Sequence, residues 1–184
     1  QIASIVKKMV KPSEDEEKGD NYTLEYFSTG VQPVPEIAII EAKKEVIIMS
    51  NMMIEMLTLF NETFKDKKNI AESLNSARKM ESKSDQMQEE ISTYLAECTK
   101  YELSLESSKG AAAMTRLTNE LESIGDSSLN LFLQIKNLEN NLEFTHKMNE
   151  EILELYNLVV KFVNWNSLFI VNDIAFMTEK DLDK

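Results

Sequence analysis

From Asn69 to Tyr101 the chain sets Ile70, Leu74, Ala77, Ser84, Met87, Ile91, Leu95 and Cys98 on the three-and-four spacing of one helical stripe. The preceding stretch reads as a helix too. Pro35 suits a first helical turn, and nothing from Glu36 to about Phe64 breaks a helix. Its apolar positions Ile37, Ile40, Ile47, Ile48, Ile54 and Leu57 cover a broad face, which predicts burial on more than one side. After the second helix, "ESSKG" ends the element, with Gly110 as punctuation. A third helix then runs from about Ala111 to Leu142, with Leu117, Leu121, Ile124, Leu131, Ile135, Leu138 and Leu142 as its stripe. A fourth starts near Phe144 or Thr145 and carries Met148, Ile152, Leu155, Val159 and Phe162. "NWN", Asn164 to Asn166, reads as a turn, and Ser167 to Lys184 as a fifth helical segment. Long helices on short connections predict an all-α antiparallel helical bundle.

Residues 1–34 follow a different pattern. "QIASIVKKMV" predicts a short helix with Ile2, Ile5, Val6 and Val10 on one side, made basic by Lys7, Lys8 and Lys11. "KPSEDEEKGD" is an acidic run that reads as a solvated linker. "NYTLEYFSTGVQPVP" reads as an extended arm. The bundle is accordingly placed at 35–184.

Shifting the chain by 98 positions aligns Leu57 with Leu155, Phe64 with Phe162, and Ile70 with Leu168. It also aligns Ala77 with Ala175, Glu81 with Glu179, and Asp85 with Asp183. Apolar coincidences at helical period are cheap; the two carboxylates are less so. The reading is one three-helix unit at 36–142 and the start of a second at 144–184.

Composition narrows the chemistry. The chain has 184 residues, 42% of them hydrophobic, enough for one domain with a core. Four Gly and three Pro are few for a sheet protein of this size. A net charge of −12 disfavours nucleic acid as a partner, because phosphate binding needs clustered cations. Cys98 is the only cysteine and His146 the only histidine, so zinc sites built from these residues are excluded. No apolar run is long enough to span a bilayer. The chain begins at Gln1 rather than Met, which reads as a piece of a longer protein. No phosphate loop or nucleophile elbow is present, so the chain is read as a non-enzyme.

The candidate chemistry lies in carboxylates one helical turn apart: Glu81 with Asp85, and Glu122 with Asp126. Such pairs share a face and repel by a few tenths of a kcal/mol. A hard cation such as Mg, Mn, Ca or ferric iron would relieve that repulsion. At 100° per residue, Glu81 and Asp85 border the second helix's stripe, whereas Glu122 and Asp126 lie nearly opposite the third's. Spacing therefore favours solvated surface, and a joint site needs both faces outward and adjacent. Gly125 thins the helix beside Asp126, at a cost of roughly 1 kcal/mol against Ala. The ten Met read as adaptable core, His146 as surface, and Trp165 as a packing anchor at a turn.

The string "RLTNELESIGDSSLNL" resembles the signature helix of PhoU-type domains, which carry E-x-x-x-D within L-E-x-I-G-D. Glu122 and Asp126 fall on that motif, and Glu81 and Asp85 on the preceding one. Glu179 and Asp183 fall on its equivalent in the second unit. The N-terminal segments, followed by "PEIAIIEAKKEVIIMSNMMIEML", resemble the region after the last membrane helix of bacterial Na+/phosphate cotransporter-type proteins. The resemblance implies a cytoplasmic, non-catalytic regulatory bundle at the inner membrane. Its partner would be the membrane transport domain of the same polypeptide, its assembly state a homo-oligomer (a dimer), and its carboxylates metal ligands. Two departures stand out: Ser123 and Ser127 replace the basic residue and the His usual in L-E-R-I-G-D-H-A. Two alternatives are a free-standing PhoU regulator of an ABC phosphate transporter and a structural oligomerisation module.

Overall fold

Pro35 opens the first helix, where its missing N–H is no loss. The structure, a computed structural model, describes residues 35–138 and 144–171. These form four helices: α1 (Pro35–Lys65), α2 (Ile70–Cys98), α3 (Leu105–Leu138) and α4 (His146–Val171), with a one-turn 3-10 helix, Lys67–Asn69, between the first two. The all-α bundle expected from the periodicity is what forms. Short polar caps set the joints. The Asp66 carboxylate accepts from the Lys68 N–H at 3.2 Å, the Ser104 hydroxyl from the Ser107 N–H at 3.0 Å, and the Thr145 hydroxyl from the Met148 N–H at 3.3 Å.

Contacts fix the directions. Gln88 bonds Asn119 while Ser84 lies against Gly125, so numbers fall along α3 as they rise along α2, and the two are antiparallel. Phe60 meets Phe132 and Met53 meets Gly125, so α1 and α3 run parallel. α1 is the central element and packs on the other three helices; α4 packs on α1 alone among the described residues.

The α2 stripe is buried at all eight expected positions, Ile70 to Cys98. Six of the ten methionines fill the centre (Met49, Met52, Met53, Met56, Met87 and Met114 are buried), while Met80 is half-buried, Met148 is exposed, and Met9 and Met177 lie outside the described residues. Unbranched thioethers adapt their shape to fill gaps between packed helices. Phe132 sits edge-on to Phe60 at 5.7 Å, and Phe64 edge-on to Phe144 at 5.5 Å, tying α3 and the start of α4 to α1. His146 is a surface residue facing Glu150 at 3.3 Å, as the sequence suggested.

Four expectations need correction. Gly110 does not end an element: Ser104 caps α3 six residues earlier, and "ESSKG" is its first turns. "NWN" is no turn. Asn164 and Asn166 donate their side-chain amides to the carbonyls of Val160 and Phe162, one turn back, and α4 runs through them. Trp165 therefore packs within a helix, stacked on Phe162 at 6.5 Å. On α1, Ile37 and Ile40 are exposed, while Ala38, Ala42 and Val46 carry that end of the core.

The fourth correction matters most. The buried line of α3 is Ala111, Met114, Thr118, Leu121, Gly125, Ser128, Phe132 and Ile135. Leu117, Ile124 and Leu131, read as its stripe, lie on the flank. Thr118 and Ser128 can be buried because each hydroxyl donates to a carbonyl one turn back, Met114 and Ile124 respectively. Small residues let α3 sit close to α1 and α2, so the helix turns them inward, and Leu117, Ile124 and Leu131 move to the flank.

The residue pairs of the proposed duplication are not equivalent where both are described. Leu57 and Phe64 are 5% and 8% exposed, Leu155 and Phe162 61% and 54%. The break between α1 and α2 has no counterpart within α4. Glu179 and Asp183 lie outside the described residues, as do the N-terminal segments 1–34.

Candidate functional site

The rotation of α3 determines where its carboxylates point. With Thr118, Gly125 and Phe132 facing inward, Glu122 and Asp126 fall on the flank beside α2 rather than on the side away from the core. On α2, Ser84 is buried and its hydroxyl donates to the Glu81 carbonyl at 2.9 Å, which leaves Glu81 and Asp85 on the rim facing α3. Carboxylate oxygens of Glu81, Asp85 and Asp126 lie within 4.8 Å of one another. Three of the four carboxylates, which spacing alone did not place together, thus converge. Glu122, half-buried one turn before Asp126, stands near enough to raise the Glu81 pKa.

Gly125 makes that meeting sterically feasible. A Cβ there would lie 3.0 Å from the Ser84 hydroxyl and 3.3 Å from the Met53 sulfur. The thinning of the helix beside Asp126 that the sequence suggested is real, and the space is filled by these two side chains. Gln88 and Asn119, which nothing in the sequence singled out, bond across the same pair of helices at 2.8 Å and hold their register. Uncharged pairs of this kind carry no periodic signal.

The electrostatics are those of crowded anions. Partial burial, then Asp85, Asp126 and Glu122, push the Glu81 carboxyl above its ordinary range. Partial burial, then Asp126, push Asp85 upward.

The sign of the linkage follows. A carboxyl with a raised folded-state pKa favours folding while protonated, and that contribution is lost as pH rises through the raised value. Without metal, Glu81→Gln should therefore unfold at a slightly higher temperature than wild type at pH 7. The difference should vanish as pH falls toward 4.5, the ordinary Glu value. Thermal melts across that window check this; a variant less stable than wild type at pH 7 would contradict the crowding.

A second polar contact lies toward the other end of α1, where the Tyr94 hydroxyl donates to Glu41 at 2.5 Å. Burial, then this carboxylate, push the Tyr94 pKa upward, so the phenol stays protonated and pins α2 to α1. The carboxylate cluster is the arrangement with chemical capacity: three exposed or half-exposed hard oxygen ligands from two helices, open to water. Residues 46–135 match the family model of the PhoU domain, a stretch that includes all four carboxylates. No curated protein and no solved structure matches the chain.

Proposed function

We propose that the PhoU-like domain of this chain is a regulatory module for phosphate transport, controlled by a cation held on Glu81, Asp85 and Asp126, with Glu122 beside them. The observation that carries this reading is the convergence of those carboxylates from α2 and α3 inside the PhoU-matching stretch. The donor set fits a hard cation. All ligands are oxygens, they repel one another as they stand, and their exposure leaves room for water to complete the coordination. A bound cation would offset the mutual repulsion of these carboxylates. The protein's own contribution is to hold α2 and α3 in register through Gln88–Asn119 and the packing at Gly125.

In the specific form suggested by the sequence, the module is the cytoplasmic domain of a Na+/phosphate cotransporter-family membrane protein. It acts on the transport domain of the same polypeptide. No helix among the described residues is long and apolar enough to cross a membrane, so any spanning part lies elsewhere. The test is radiolabelled phosphate uptake by cells expressing the parent protein, with and without Asp85→Asn/Asp126→Asn. Altered Na+-dependent uptake at equal expression is expected. Unchanged uptake would refute the reading, and an effect that requires an ABC phosphate transporter would replace the fused module with a free-standing one.

A further inference from the structure

The space between α3 and α4 is an apolar groove of about 1000 Å³, floored by Leu57 and Phe60 of α1 and walled by Ile124, Leu131, Tyr156 and Val159. It exists because α4 rests on α1 and does not reach α3. Leu131, Leu155, Leu158 and Phe162 along it are about half exposed or more. Apolar side chains gathered this way on a monomer mark a place that something covers.

Charge limits what can cover it. Glu120 lines the groove and Glu154 stands one turn before Leu158, with Lys161 as a counter-charge beside Phe162; Glu151, one turn before Leu155, is paired with Lys147 at 3.8 Å. A second copy would bring the same acidic rim, on a chain of net charge −12, against this one. A matching occupant is an amphipathic helix with apolar residues on one side and cations on the other. The sequence outside the described residues offers a candidate. In Gln1–Lys11, helical phasing sets Ile2, Ile5, Val6 and Val10 on one side and Lys7, Lys8 and Lys11 on the other, with no acid in the segment.

The tether is long enough. Leu57 lies 22 residues into α1, about 33 Å from Pro35 at 1.5 Å per residue. The residues between Lys11 and Pro35 span up to about 75 Å when extended. Tethering also makes docking intramolecular, which raises the effective concentration of the segment. We propose that residues 1–11 seat as a basic amphipathic helix in the groove between α3 and α4, apolar side inward and lysines toward the acidic rim. This docking is separate from the cation site and does not depend on it.

The experiment uses the full chain with a nitroxide on Ser4→Cys; Cys98 is fully buried, so the label goes to the new thiol. Methyl signals of Ile124, Leu155 and Leu158 are compared with those of Leu74 and Ile91, on α2. The groove signals should lose more than half their intensity at every protein concentration. They should recover in Lys7→Glu/Lys8→Glu/Lys11→Glu. Equal broadening of the two sets, broadening that disappears on dilution (the mark of a second copy in the groove), or broadening that survives charge reversal would each overturn the proposal.

Discussion

Gly125→Leu should destabilise the bundle by about 1–3 kcal/mol, the usual range for overpacking. For a chain of this size that lowers the melting temperature by very roughly 2–12 °C. Two effects oppose each other at this position. A glycine inside a helix gives up about 1 kcal/mol relative to a residue with a side chain, so any substitution starts with that gain. Against it stands the space: even a Cβ meets the Ser84 hydroxyl at 3.0 Å and the Met53 sulfur at 3.3 Å. Met53 can shift its thioether, but Ser84 is buried and hydrogen-bonded to the Glu81 carbonyl. For leucine the steric term wins. For alanine the two nearly cancel, and Gly125→Ala should change stability by less than about 1 kcal/mol. Removing the Ser84 hydroxyl as well, in Gly125→Ala/Ser84→Ala, should uncover the helix-propensity gain as a positive coupling between the two positions. Chemical denaturation of wild type, Gly125→Leu, Gly125→Ala, Ser84→Ala and the double variant checks this. A Gly125→Leu variant as stable as wild type would show that α2 and α3 do not meet closely at this point.

The second large effect concerns metal. A ligand that binds only the folded state stabilises it by about 2.7 kcal/mol when present at a hundred times its dissociation constant. Saturating Mn2+, Mg2+, Ca2+ or ferric iron, whichever the site prefers, should raise the midpoint of unfolding by a matching amount. Asp126→Asn should abolish most of that shift, because it removes the one α3 ligand among the three converging carboxylates. The same substitution removes a negative neighbour from both Glu81 and Asp85, so the metal-free protein should be at least as stable as wild type. Higher stability without metal, together with lost stabilisation by metal, separates a ligand from a merely structural residue. Glu106→Gln, an exposed carboxylate in the first turn of α3, should leave the metal shift intact. Equal shifts in all three proteins would mean that the cation is held elsewhere.

Gly125 links the two experiments. Leucine at this position spreads α2 from α3 and so separates Asp126 from Glu81 and Asp85. The metal-induced shift should shrink along with the stability, although no ligand has been changed.

Much of this was written in local order. The eight-residue stripe of α2 emerged intact because its buried positions are mostly apolar and its period is unbroken. The bundle class, the methionine-filled core and the surface position of His146 were likewise decided by residue type and spacing. Gly110 and Asn164–Asn166 make no joints, because turn-forming residues can satisfy themselves inside a helix. Asn side chains bond carbonyls on their own helix, and a serine cap upstream carries the helix through a glycine.

The site depended on something no periodicity shows. The facing of α3 was settled by small and hydroxyl-bearing residues, Thr118, Gly125 and Ser128, which a hydrophobic pattern counts as polar or empty. Close packing prefers them where three helices converge, because they occupy little volume and their hydroxyls are satisfied on the same helix. That choice turned the helix so that Asp126 joined Glu81 and Asp85. The sequence alone determined which residues carry the charge and how far apart they stand along each helix; only the packing of α3 against α1 and α2 decided that the charges meet.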